Sequence, residues 1–468
     1  MKRNSKQELK TLSKQGHIIF LKKIKRTKRK KAKRNSQFKF FENARKHSIK
    51  KGEPFYFGAK RFKQNLSKSK PRIPQISELL LKKPYSFSEK KPNLYRNGII
   101  KLPPIFSLLK SPNESYLVLK ELLYFLYKGR DRMVTLDYVE CEEIDLDASV
   151  CMDILLMEYN LYLKDCMKSK YVPIVKNIKP VNFRKPALLK ILCSIGAFSN
   201  VRGVNIKYND MICYPLCINN KKVEHDAGLN ITRMVDYVQL SLGKMQKKLN
   251  TDSIKNLCDV IGEILINAEE HSTTDYSFSI GFFQDINLNT PDHTGIFNLV
   301  IFNYGDTIYE KFSSTDCQNL ETKKRMNELS EIYVKKNFFG QSDFTEETLW
   351  TLYALQEGVT SVPTEKFKKR GNGSIRFIES FFELKGNGTE MDNVSKMTIL
   401  SGNTRITFDS RHQIKSIKRG NTTFKIMAFN KEGNIELKPD KKNVTFVDNF
   451  FPGTLISAKI LISDNDTK

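Results

Sequence analysis

Glu263, Asn267 and His271 stand four residues apart in the segment Cys258–Ser272. Val260, Ile264 and Leu265 fall between them at helical spacing. This predicts a helix with an apolar stripe and a polar face that carries all three side chains. A carboxylate on that face can orient and activate a water. One turn on, an amide oxygen can take a coordination place on Mg²⁺, which prefers hard oxygen ligands and keeps several waters. A metal-bound triphosphate beside the helix would complete what hydrolysis needs. Polar residues at this spacing also arise on any solvated helix face, so the weight falls on the segments downstream of Ser272.

Those segments supply the elements that must position such a helix. Leu299–Ile308 reads as a buried strand running into a turn at Gly305. Ala354–Ser361 contains Gly358, and Arg370–Ile375 contains Gly371 and Gly373 ahead of a further helix. Alternation at Met397–Phe408, Thr422–Phe429 and Thr454–Ile462 predicts strands. Helices are expected at 231–249, 320–336 and 346–356.

Glu-x-x-x-Asn-Ala-x-x-His at 263–271 resembles the first ATP-binding motif of the GHKL family (gyrase, heat-shock chaperone, histidine kinase, mismatch repair). Asn303-Tyr304-Gly305 resembles its second motif, Asp-x-Gly-x-Gly. The segments at 354–361 and 370–375 resemble its lid and its Gly-x-Gly motif, and Gly453-Thr454 the opening of its last strand. Each motif is short, but the order is the family's, over about residues 227–463.

The resemblance implies an α/β fold whose C-terminal part is a two-layer α/β sandwich with a mixed sheet, of the Bergerat type, at 226–463. It implies ATP and Mg²⁺ as ligands and a long lid at 309–370. Glu263 would be the general base and Asn267 the Mg²⁺ ligand. Asn303 stands where the family has an adenine-reading aspartate, and its amide can still accept a hydrogen bond. Gly305 would let the backbone pass close beneath the base. Thr307 replaces the motif's second glycine. Gly358, Gly371 and Gly373 would give the lid its approach to the phosphates. Thr454 would face the phosphates or support the Glu263 helix. His271 and Lys368–Arg370 either face the phosphates or only cap a helix and cover the lid.

The remainder of the chain is read from composition. The net charge of +28 is concentrated at the start: residues 1–51 hold 20 Lys or Arg against two acids, Glu8 and Glu42. Such density opposes compaction, so 1–70 is expected as a basic tail, disordered or helical, able to attract nucleic-acid phosphates. Prolines at 71, 74, 84, 92, 103 and 104 predict a linker over 71–104. Alternating strand and helix patterns predict a small α/β domain at 105–225. Its segment 133–157 is faintly similar to the STAS fold. Cys213, Cys217 and His225 lack the spacing of a zinc site, so free thiols in a reducing compartment are expected. No apolar run approaches the roughly 20 residues of a membrane span, and a cytoplasmic protein is expected.

Three functions fit. The first is a slow Mg-dependent ATPase whose lid closure switches a dimer or a protein partner. The second is a protein kinase acting on a STAS-like partner, with no phospho-accepting histidine of its own in a clear dimerisation helix. The third is a nucleic-acid-binding protein whose nucleotide site is only structural.

Overall fold

The computed structural model describes residues 71–463 except 84–86, 89, 91–97, 170, 172, 205, 223–226, 271, 287–293, 335–342, 362–372, 386–393, 410, 420 and 421. The basic tail, His271, Lys368–Arg370 and Gly371 therefore lie outside the described residues. Strands and helices combine in a mixed α/β chain.

The first layer is built from α1 (Gln75–Lys82), β1 (Ile99–Lys101), β2 (Ile105–Phe106), α2 (Pro112–Tyr127), β3 (Met133–Asp137), β4 (Glu143–Ile144), α3 (Leu146–Lys168), β5 (Asn177–Val181), α4 (Pro186–Ser194) and α5 (Ala197–Asn200). β1, β3 and β5 form a parallel three-stranded sheet in that order. α2 and α4 each begin with proline, whose missing N–H is one of the donors a helix start leaves unpaired anyway.

The stretch 71–104, expected as a linker, contains α1 and the strand β1. α1 forms because its unpaired N-terminal donors are satisfied from far away in sequence. The Glu158 carboxylate on α3 accepts the N–H groups of Ile76 at 3.1 Å and Ser77 at 2.6 Å. A cap supplied by a distant residue leaves no local sequence signal.

The second part holds β6 (Met211–Asn220), α6 (Ala227–Lys244), α7 (Thr251–Glu270), β7 (Ser272–Asp285), β8 (Thr294–Gly305), α8 (Ile308–Ser313), α9 (Leu320–Val334), α10 (Glu346–Ala354), α11 (Gly373–Lys385), β9 (Lys396–Phe408), the hairpin β10 (Lys415–Arg419) and β11 (Thr422–Ile426), and β12 (Val444–Ser463). Five strands pair in the order β6-β7-β8-β12-β9. Every pairing is antiparallel, where a mixed sheet was the expectation. The long antiparallel ladder arises because β7 and β8 are joined as neighbours and β12 inserts between β8 and β9.

One sheet face carries Phe283, Phe297, Leu299, Ile301, Ile399 and Ile460. These share a core with the apolar stripes of α6, α7 and α11. The other face carries Phe278, Ile280, Val300, Phe302, Tyr304 and Leu455, all buried. The first layer covers it. Tyr304 lies fully buried beside Cys151 of α3 and Tyr116 of α2. The Phe87 N–H donates to the Phe450 carbonyl at 3.0 Å, and Asn449 donates to Asn113 at 2.6 Å. The sheet is thus closed on both sides by helices, the second set coming from the preceding α/β layer.

α10 is core. Leu349, Trp350, Leu352 and Tyr353 are buried, and Trp350 donates to Ser330 of α9. Glu347 on α10 accepts the Asn403 N–H at 2.7 Å, tying the helix to β9. Within the stretch expected as a lid, α10 is thus packed into the core.

α3 also carries Asp153, fully buried. One carboxylate oxygen accepts from Asn200 at 2.8 Å and the other has no partner. Desolvation pushes its acidity from the usual 3.8 to about 7. Below pH about 4 the folded and unfolded chains both hold this proton. As pH rises the unfolded chain releases it first and the folded chain keeps it to about 7, so stability falls across that window. Asp153→Asn is expected to flatten the decline by about 1.4 kcal/mol per pH unit. Denaturant midpoints between pH 5 and 8 check this, and an unchanged slope refutes it.

All eight cysteines are free thiols, with Cys213 exposed. No helix of the described residues is long and apolar enough to cross a membrane.

Candidate functional site

α7 lies between α6 and α11, packing against both and against β7 and β8. Leu257, Val260, Ile261, Ile264 and Leu265 give it a stripe buried in the core. Gly262 faces α6, where a Cβ would meet the Ile231 side chain at 3.2 Å. At roughly 100° per residue, Glu263 and Asn267 turn to the opposite flank of the stripe, the one toward α11. Both are half-buried. The 3.6-residue periodicity thus brings the acid and the amide to one edge of the helix layer, between the sheet and α11.

Chain continuity identifies the sheet end next to this flank. α7 closes at Glu270, and β7 opens at Ser272, which pairs with Gly305. Asn267 is therefore near the same sheet end as Gly305. There the helix-facing positions become polar. Asn219, Ser277, Asn303, Thr454 and Ser401 occupy matched positions on β6, β7, β8, β12 and β9, crossing all five strands. Alternation from Leu299 and Ile301 places Asn303 on the α7 side. Asn219, Ser277, Asn303 and Ser401 are buried.

Most of this row is internally satisfied. Ser401 Oγ donates to the Gly453 carbonyl at 3.0 Å, accepts from the Ile308 N–H at 2.9 Å and stands 3.0 Å from Thr454 Oγ1. Asn230 donates to Asn219 at 2.6 Å. Asn303 is the exception. It is 2 % exposed, and its Nδ2 has no hydrogen-bond partner among the described residues. An enclosed NH₂ with no acceptor costs on the order of 1–3 kcal/mol. Such groups in a native fold ask for a ligand or a water.

The backbone around Asn303 is tightly held. Gly305 has φ +143° and an added Cβ would sit 2.4 Å from the Thr273 nitrogen. Gly453, beside it on β12, has φ +145° and a Cβ there would fall 2.1 Å from the Asn303 carbonyl oxygen. β7 bulges opposite, between Ser272 and Ser277. Thr307 caps α8: its hydroxyl accepts the Glu310 N–H at 3.0 Å, and the Glu310 carboxylate accepts the Thr307 N–H at 2.8 Å. Its side chain is thereby committed to structure. Burial raises the pKa of Asp306, in the same turn.

The structure thus brings Asn303, Gly305, Thr307 and Thr454 together at the sheet end where the C-terminus of α7 leads into β7; Glu263 and Asn267 lie on one flank of α7, with no described contact to that group. Gly373 is the first residue of α11. Gly358 is not drawn into this group by any described contact. It sits at φ +80° against Phe424 of β11, in the turn where Glu357 and Lys425 bond. Sequence reasoning missed Asn219, Ser277 and Ser401. A single hydroxyl or amide in a strand carries no signal until the register aligns it with others.

Comparison of the chain with models of known families, with curated proteins and with solved structures finds no match in any of the three.

Proposed function

We propose that the C-terminal part of this chain is a GHKL-type nucleotide site on a Bergerat-type α/β sandwich, and that the protein binds Mg-ATP and hydrolyses it slowly. What supports this reading is the register that sets Asn303 beside Thr454 and Gly305 at the sheet end where α7 runs into β7, together with the helical period that puts Glu263 and Asn267 on one flank of α7. The order helix, two strands, intervening helices, helix, then β9 and β12 around the same sheet adds to it.

The residues fit the ligands in kind. The Nδ2 of Asn303, unpaired among the described residues, can donate to a ring nitrogen of a base, and glycine at 305 removes the side chain that would crowd it. The first N–H groups of α11, a helix of 13 residues, lack intrahelical acceptors and favour anions. The chain leaves α11 for Lys396, which pairs at the Asn298 end of the sheet. Among the described residues no cluster of three His, Cys, Asp or Glu side chains is arranged to hold a metal, so Mg²⁺ would be shared between Asn267 and phosphate oxygens. When bound, it neutralises phosphate charge. Glu263 would position a water and take its proton as the oxygen attacks the terminal phosphorus, while the bond from that phosphorus to the β–γ bridging oxygen breaks and ADP leaves with that oxygen.

Calorimetric titration tests the reading. Mg-ATP is expected to bind one to one, and omitting Mg²⁺ or introducing Asn267→Ala is expected to weaken it at least tenfold, about 1.4 kcal/mol. Absence of binding by any nucleotide would remove the proposal.

A further inference from the structure

A cleft of about 290 Å³ opens in the first layer, away from the α7 site. Its floor is the β3–β5 sheet at Leu136 and Ile178, and its walls include Leu156 of α3, Leu192 of α4 and Phe198 of α5. Phe198 belongs to an aromatic group: its ring centroid is 6.2 Å from that of Phe183, which stacks on Tyr138 at 4.5 Å. The size is just below the usual range of small-molecule sites, and the lining is mixed, with Asn160 and Asn177 beside the apolar side chains.

The charge of the lining is one-sided. Two charged side chains border the cleft, Lys176 and Arg202, and both are cations. Lys176 is committed to structure, donating to the backbone carbonyls of Gly129 at 2.6 Å and Asp131. Arg202 is held at the mouth by two contacts. Its guanidinium lies 5.9 Å from the Phe198 ring centroid, and one N–H donates to the Ile178 carbonyl at 3.1 Å. Its remaining donors have no partner among the described residues. A planar fork fixed in this way has already lost the freedom that binding a carboxylate would otherwise cost.

We propose that this cleft binds a small aromatic carboxylate, with the ring against Phe198 and Leu156 and the carboxylate on Arg202. Phe198 and the Ile178 side of the floor supply contact for the ring, Asn160 and Asn177 keep the rest of the lining polar, and the cation held at the rim supplies the sign. A cationic or zwitterionic amine would find no carboxylate in the lining to meet it. The site is separate from the α7 helix, and the proposal does not depend on nucleotide binding.

The test uses the full chain and two naphthalene probes of the same shape: 1-naphthoate, and the uncharged 1-naphthamide. Fluorescence titration is expected to give one site for 1-naphthoate, with 1-naphthamide at least tenfold weaker. Arg202→Gln is expected to remove that difference while the thermal midpoint stays unchanged, because Arg202 is exposed. Ala197→Leu, which adds bulk at the lining, is expected to weaken both probes. Equal affinity for the two probes in the parent chain overturns the proposal. So does a carboxylate preference that survives in Arg202→Gln, or binding indifferent to Ala197→Leu.

Discussion

Glu263→Gln is expected to lower phosphate release from Mg-ATP by roughly 10²–10⁴-fold and to leave nucleotide affinity nearly unchanged. The substitution keeps the shape of a half-buried side chain on α7 and removes its ability to take a proton. Loss of general-base action lowers turnover without removing binding contacts, so kcat should fall with little change in nucleotide Kd. The pairing with Asn267→Ala sharpens the result. One turn along the same flank, the amide variant should lose binding first. If Glu263→Gln releases phosphate at the parent rate, Glu263 is not the base. If it loses nucleotide altogether, the carboxylate serves binding or the fold. Single-turnover phosphate release beside calorimetry separates these outcomes.

Gly453→Ala is expected to destabilise the chain by on the order of 3–5 kcal/mol, through backbone strain and overpacking together. Gly453 combines two constraints. Its φ of +145° is costly for a residue with a side chain, and an added Cβ would lie 2.1 Å from the Asn303 carbonyl oxygen. That oxygen is backbone at the end of the β8–β12 ladder, so relief would require the two strands to part where Gly453 pairs with Tyr304 and Thr454 with Asn303. Gly243→Ala is the matched control. It sits in α6 with open space around it, and alanine there should be neutral or stabilising by up to about 1 kcal/mol. Denaturant unfolding of the two variants checks the contrast. Similar midpoints would show that the β8–β12 contact is softer than its geometry indicates.

Much of the local structure was legible. The amphipathic period of α7 and the alternation of β9 and β12 each appeared as a pattern, because each element buries a single stripe or face. Leu299–Phe302 reads as a near-continuous apolar run, the mark of a strand covered on both sides, and β8 is so covered. The four-residue step from Glu263 to Asn267 was enough to place both on one helix edge. The helices at 320–334 and 346–354 were also visible, but their role was not. α10 read as part of a flap and proves to be core, because Leu349, Trp350 and Tyr353 bury nearly all around it, and burial is a property of neighbours.

What the sequence by itself determined is the set of local shapes and the residue types available for chemistry: an acid and an amide one turn apart, glycines where the backbone takes positive φ, and a mixed α/β content. These depend on side-chain spacing and backbone sterics within a few residues. Only the tertiary structure decided that β12 enters between β8 and β9, that five strands align Asn219, Ser277, Asn303, Thr454 and Ser401 in one row, that Glu158 caps α1, and that the first layer roofs the second face of the sheet. Each of these joins residues tens to hundreds of positions apart, and strand register, distant capping and face-to-face burial are set by the summed packing of the whole chain.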